Sequence, residues 1–216
     1  LVALTAGSLA VVISQRKWSL LLLPLVIWGG AFALQSVEWT KPTGEPIKAA
    51  LIQGNVPQEI KWDPQQLRNT LQLYADLSRQ HWDADVIVWP ENAATAFYHQ
   101  IDEGYLAPLG REARSQNTDI LLGLPVLDEN GEDYYNSMVS LTDTPVFYHK
   151  RHLVPFGDYV PFETLRGLIK FFDLPMSAFV PGSADQPQML LAGQPVGVSI
   201  CYEDAFSLEV RDTVPA

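Results

Sequence analysis

Residues 18–37, Trp-Ser-Leu-Leu-Leu-Leu-Pro-Leu-Val-Ile-Trp-Gly-Gly-Ala-Phe-Ala-Leu-Gln-Ser-Val, carry no charge. Twenty such residues at helical rise cover the roughly 30 Å hydrocarbon core of a bilayer. Four consecutive leucines flanked by more apolar residues leave no polar face for water. Trp18 and Trp39 bracket the run as interfacial anchors, and Arg16-Lys17 marks its cytoplasmic side by the positive-inside rule, which sends the chain after Glu38 to the outer side. Two other readings stay open. One is a secretory signal, with Ala31-Phe-Ala33 as the cleavage site, although a signal begins with a charged region and not with the uncharged residues 1–14. The other is a buried core helix. Residues 1–14 are too short to span and read as the tail of an earlier helix. Residues 1–38 are therefore expected to be transmembrane and truncated at the N-terminus.

Residues 39–47 contain Lys-Pro-Thr-Gly-Glu-Pro and read as a linker. Residues 48–216 form a different kind of chain, acidic and of ordinary globular composition. The net charge of −11 leaves no basic face for nucleic acid. A single cysteine excludes an internal disulfide framework and a multi-cysteine metal site. Strands are expected at 48–53, 85–89, 119–124, 135–141, 145–149 and 188–192, with a last one running through 196–200 into Cys201. Asp63-Pro64 opens a helix as cap and first turn, and Leu67, Leu71, Tyr74 and Leu77 repeat on one face of it. Residues 103–116 are helical and weakly amphipathic, and a short apolar helix is expected at 165–172. Helices alternate with strands early and strands follow strands later, which points to an α/β layered sandwich. The sandwich reads as incomplete, truncated at the C-terminus.

Three of these strands end on one ionisable residue each. Glu91 follows Val-Ile-Val-Trp-Pro, Lys150 follows Val-Phe-Tyr-His, and Cys201 follows Gly-Val-Ser-Ile. Strand ends are where open α/β sheets open a crevice. A thiolate is the nucleophile and a nearby cation favours it. Lys150 supplies such a charge and an oxyanion partner, and Glu91 a proton acceptor. Each residue also has a plain reading: Cys201 as a buried small hydrophobe, Glu91 as a helix-capping acid, Lys150 as a solvated charge.

Trp89-Pro90-Glu91, Lys150-Arg-His-Leu-Val-Pro-Phe-Gly-Asp-Tyr-Val-Pro161 and Cys201-Tyr-Glu203 together resemble the carbon–nitrogen hydrolase (nitrilase) superfamily, and within it the apolipoprotein N-acyltransferase family. Gln53-Gly-Asn-Val-Pro57, Lys61-Trp62-Asp63 and Phe171-Phe-Asp-Leu-Pro175 extend the likeness over essentially the whole chain. The resemblance implies a nitrilase-like αββα sandwich and a Glu-Lys-Cys triad. Glu91 is its general base, Lys150 the stabiliser of the tetrahedral intermediate and Cys201 the nucleophile. It implies transfer of a fatty acyl chain from a phospholipid such as phosphatidylethanolamine, through a Cys201 thioester, to the α-amino group of a diacylglyceryl-lipoprotein acceptor. The implied site is the periplasmic side of a bacterial inner membrane, with no metal or organic cofactor. Trp62, Tyr202 and Glu203 match further positions of importance in the family, and the backbone N–H of Tyr202 is a second oxyanion donor. Asp158 stands where the family usually has Glu to orient the lysine, one methylene shorter. An amidase or nitrile hydrolase using water, and a non-catalytic tethered binding domain, are the other readings. Apolar pieces at 167–172 and 176–180 read as lipid contacts, gates or loop packing.

Overall fold

The computed structural model describes residues 1–39, 41–42, 44–161 and 178–213. The expected helix at 165–172, the block at 171–175 and most of the apolar pieces at 167–172 and 176–180 lie outside the described residues. The chain divides into two compact units, Leu1–Pro46 and Ile47–Ala216.

The first unit holds two helices, α1 (Val2–Gln15) and α2 (Leu22–Leu34), with a 3₁₀ turn at Trp18–Leu21 ahead of the second. The indole N–H of Trp28 donates to Thr5 Oγ1 at 2.9 Å and joins them. The single apolar span expected over 18–37 is not formed: among the described residues, no helix is long and apolar enough to cross a membrane. Pro24 supplies the reason. A proline lacks the N–H of the helical ladder and its ring clashes with the carbonyl four residues back, so it is tolerated only in a first turn. The α-helix therefore begins at Leu22 and runs 13 residues, about 20 Å at 1.5 Å per residue. Both helices stay apolar outward, with Ile13, Leu25, Val26 and Phe32 all exposed.

The second unit is built on five strands: β1 (Ala49–Leu51), β2 (Val86–Val88), β3 (Asp119–Leu127), β4 (Tyr134–Ser140) and β5 (Val146–His149), adjacent in that order. The first three run parallel and β3, β4 and β5 alternate in direction. Parallel neighbours need a crossover, and helices provide it: α3 (Gln58–Lys61) and α4 (Leu67–Arg79) between β1 and β2, then α5 (Tyr98–Ile101), a π turn (Asp102–Leu106) and α6 (Ala107–Ser115) between β2 and β3. α4 starts three residues later than its cap residue predicts, because Asp63 caps a separate turn, accepting from the Gln65 N–H at 2.9 Å.

Successive strand residues point to opposite faces, and both faces here are apolar. Ile87, Ile120, Leu122 and Val139 face helices α4 and α6 and meet Leu71, Tyr74, Leu109 and Ala113. Val86, Leu121, Met138 and Tyr148 face the other way. They pack on a hairpin of β6 (Met189–Leu191) and β7 (Gln194–Val196), and on Val198 and Ile200. The result is layered as helix, sheet, sheet. β7 ends at Val196 instead of running into Cys201. Gly197 explains the departure: a Cβ there would lie 2.7 Å from the Thr213 carbonyl oxygen, on the short helix α7 (Ser207–Thr213). The chain leaves the ladder at that close approach.

Candidate active site

Glu91 lies in the turn after β2. Trp89 anchors that turn: it is fully buried, stacks on Tyr74 with ring centroids 4.9 Å apart, and donates its indole N–H to Ser78 Oγ at 2.8 Å. Asn92 continues the turn at φ 48°, a left-handed conformation that Asn tolerates better than most residues. Gly123 of β3 supports the turn from below. A Cβ on it would lie 2.6–2.7 Å from the Pro90 carbonyl oxygen, the Asn92 nitrogen and the Glu91 Cα.

Lys150 immediately follows β5. Its backbone N–H donates to the Asn136 carbonyl at 2.8 Å and its carbonyl accepts from Gly182 N–H at 2.9 Å. The side chain is 1% exposed, which rules out a solvated charge. Its Nζ lies 3.2 Å from Glu91 Oε1 and 2.7 Å from Asp158 Oδ2. The shorter Asp158 therefore reaches the lysine directly. A tight loop brings it there: Asp158 N–H donates to the Val154 carbonyl at 2.8 Å, and Val154 N–H returns a 2.8 Å bond to Asp158 Oδ2. Burial by itself pushes the Lys150 ammonium down. The Asp158 hydrogen bond and the charges of Glu91 and Asp158 outweigh it and hold the group above its ordinary value, so it stays a cation.

Cys201 opens a 3₁₀ turn (Cys201–Ala205) and is exposed. Its φ is 54°, a left-handed backbone that a residue with a Cβ adopts at a cost of order 1–3 kcal/mol. The strand-end placement is thus a sharp turn off an extended segment. Burial of the sulfur and the Glu91 carboxylate beside it raise the thiol above its usual value. The Lys150 ammonium and the Tyr202 backbone N–H pull the other way without prevailing. The three residues widely spaced in sequence meet here, and the Tyr202 N–H points at the sulfur.

Glu203 is 2% exposed and accepts four hydrogen bonds. Oε1 takes the Tyr148 hydroxyl at 3.0 Å, Arg151 N–H at 2.7 Å and His152 N–H at 3.2 Å; Oε2 takes Ile200 N–H at 2.7 Å. It ties the segment after Lys150 to the turn that carries Cys201. The Tyr202 ring is exposed and meets His152 and Phe206 edge-on at 5.8 and 5.2 Å. Trp62 is half-buried at the end of α3.

Two residues of the site escape a strand-end reading. Asn136, in the middle of β4, donates Nδ2 to Glu91 Oε1 at 2.6 Å and to Asp158 Oδ1 at 3.5 Å, bridging both carboxylates. Asn136 is 1% exposed, in a strand that also buries Ser137 and Ser140. Lys61, beside Trp62, places Nζ 3.3 Å from the Glu91 carbonyl oxygen. Chemically the constellation holds one buried cation between two carboxylates, and a protonated sulfur within reach of one of them.

Residues 48–215 match the carbon-nitrogen hydrolase family. Over 201 residues the chain is 43% identical to the apolipoprotein N-acyltransferase of Methylococcus capsulatus, covering 93% of this chain and 40% of that protein. It is 40% identical over 220 residues to the apolipoprotein N-acyltransferase of Vibrio cholerae, covering 97% and 43% respectively. The chain thus spans less than half the length of these curated relatives. Among solved structures, a carbon-nitrogen hydrolase from Helicobacter pylori G27 shares the fold with a TM-score of 0.55 at 16% identity, over 76% of this chain and 55% of that one.

Proposed function

The chain belongs to the carbon–nitrogen hydrolase family, and from that premise we propose that it is an N-acyltransferase of lipoprotein maturation, moving a fatty acyl chain from a phospholipid to the α-amino group of a diacylglyceryl-cysteine. The observation that carries this reading is the meeting of Glu91, Lys150 and Cys201 in one site, in a chain 40–43% identical to proteins named for that reaction.

The geometry suits a two-step course. Glu91 accepts the Cys201 proton as sulfur attacks the ester carbonyl of the phospholipid. The Lys150 ammonium and the Tyr202 N–H face the oxyanion that develops. The intermediate collapses, the glycerol oxygen leaves with the proton held on Glu91, and a thioester remains. The acceptor amine then attacks the thioester, Glu91 takes a proton from the nitrogen, and the sulfur departs and recovers that proton. Asp158 matters in both steps: when Glu91 is protonated, Asp158 is the carboxylate that keeps Lys150 charged.

Both substrates carry two acyl chains and are confined to a bilayer. The apolar outward surfaces of α1 and α2 support placing residues 1–39 in the apolar layer of a bacterial inner membrane, with the second unit on its periplasmic side.

The test uses the full chain in phospholipid vesicles with a diacylated lipopeptide. Wild type should form a hydroxylamine-sensitive acyl adduct and then N-acylate the peptide, and Cys201→Ala should do neither while remaining folded. Release of ammonia from small amides, with the lipopeptide left unmodified, would assign the site to hydrolysis instead.

A further inference from the structure

A cavity of about 250 Å³ adjoins the Glu91 turn on the side of β1 and α4. Gln53, Asn55, Gln58, Lys61, Tyr74 and Pro90 contribute to its lining. Lys61 is the residue in it that the proposed chemistry does not use. Its Nζ donates to the Glu91 carbonyl oxygen at 3.3 Å. Among the described residues, no carboxylate oxygen lies within ion-pair distance of it, whereas Lys48 and Lys150 each have such a partner. Burial lowers its ammonium from the ordinary lysine value, with Glu91 partly opposing the fall.

A half-buried ammonium with one carbonyl acceptor leaves N–H groups aimed at a cavity. Burying a charge with few partners is costly; the cavity lining brings amides from Gln53, Asn55 and Gln58 and no carboxylate, and Glu91 is the charge that opposes the cost. In a chain of net charge −11, a cationic cavity beside the catalytic carboxylate needs an anion brought by the substrate. A strongly hydrated point charge with rotatable donors suits a phosphate.

We propose that this cavity is the subsite for the phosphodiester of the acyl donor, with Lys61 as its cation. The inference rests on the acyl-transfer reading above and adds how the donor is recognised. The backbone of a single residue, Glu91, separates this cation from the carboxylate that faces Cys201. In a glycerophospholipid, one glycerol unit separates the phosphate from the reacting ester.

The experiment compares two donors of equal acyl chain in the full chain: dipalmitoyl-phosphatidylethanolamine, and p-nitrophenyl palmitate, which has no phosphate. Lys61→Met should raise KM for the phospholipid about tenfold or more, as expected for a lost charge-assisted contact, and raise KM for the p-nitrophenyl ester far less. Lys61→Arg should restore most of the loss. A parallel loss on both donors would overturn the proposal and leave Lys61 as a prop for the Glu91 turn. A second readout does not depend on turnover: labelling of Lys61 by acetic anhydride, read by mass spectrometry. Dihexanoyl-phosphatidylethanolamine should protect Lys61, with inorganic phosphate protecting only weakly. Protection by inorganic phosphate but not by the lipid would identify a free-anion site and overturn the donor assignment. If wild type transfers from neither donor, the acyl-transfer reading fails while the labelling result still decides whether the cavity holds a phosphodiester.

Discussion

Replacing Glu203 by glutamine changes one atom and no volume, yet it should damage both stability and turnover. The carboxylate accepts from four donors, three on Oε1 and one on Oε2. An amide has one oxygen. Its better orientation keeps that oxygen toward Tyr148, Arg151 and His152 and sets the NH₂ against the Ile200 N–H, which approached Oε2 at 2.7 Å. A buried donor left unpaired costs about 1–3 kcal/mol, and each remaining bond loses about 1 kcal/mol when its acceptor is no longer charged. Relief of the buried charge offsets part of this, so the net loss should be about 2–4 kcal/mol. Tyr148→Phe removes one donor and keeps the charge, and should cost about 1–2 kcal/mol. Urea unfolding followed by tryptophan fluorescence measures both, because Trp89 is in the core. Turnover should fall further than stability implies. Glu203 joins the Lys150 segment to the Cys201 turn, and a misplacement of about 1 Å in a catalytic group can cost about 10²-fold in rate. A glutamine variant within about 0.5 kcal/mol of wild type, with unchanged acyl transfer, would refute the clamp.

Two further outcomes follow from the same geometry. Glu91→Gln removes the anion that helps keep the Cys201 thiol protonated and leaves Lys150 in place, so the thiol should ionise at lower pH. Iodoacetamide should then alkylate Cys201 faster at neutral pH in this variant than in wild type, while acyl transfer is lost; slower alkylation would reverse the assigned electrostatics. Gly123→Ala puts a Cβ 2.6–2.7 Å from three backbone positions of the Glu91 turn. It should cost about 1–3 kcal/mol of stability and at least tenfold in kcat, measured with the vesicle assay, and an alanine variant of native activity would show that the turn yields freely.

Much of the layered sheet is legible in the chain. Short apolar runs rich in valine, isoleucine and leucine mark strands buried on both faces, and β2 and β3 lie where such runs occur, while β4 and β5 carry more polar and aromatic residues. Element ends are less legible because single contacts set them. Pro24 breaks the apolar run of 18–37 into a 3₁₀ turn and a 13-residue helix. Gly197 releases the chain from β7 before Cys201, through its close approach to Thr213. Residues that take part through hydrogen bonds are least legible. Nothing in the spacing of Asn136, Glu91 and Asp158 signals that one amide bridges two carboxylates. Glu203 is legible as an acid near the cysteine, but not as the acceptor of four donors from three segments.

From the order of its residues alone, the chain settles where β1 to β5 lie, that Glu91 and Lys150 follow two of them, and that its first forty residues differ in kind from the rest. Those are local properties of apolar patterning and composition. Tertiary structure alone decided that a sulfur at 201, an ammonium at 150 and a carboxylate at 91 share a site, that Asp158 reaches 2.7 Å from the lysine despite its shorter side chain, and that Lys61 faces a cavity without an anion. The reason is physical. Charge interactions and hydrogen bonds act over a few ångströms of space, and the separation of their partners along the chain, 59 residues for Glu91 and Lys150, has no bearing on that distance until strand pairing and core packing bring the segments together.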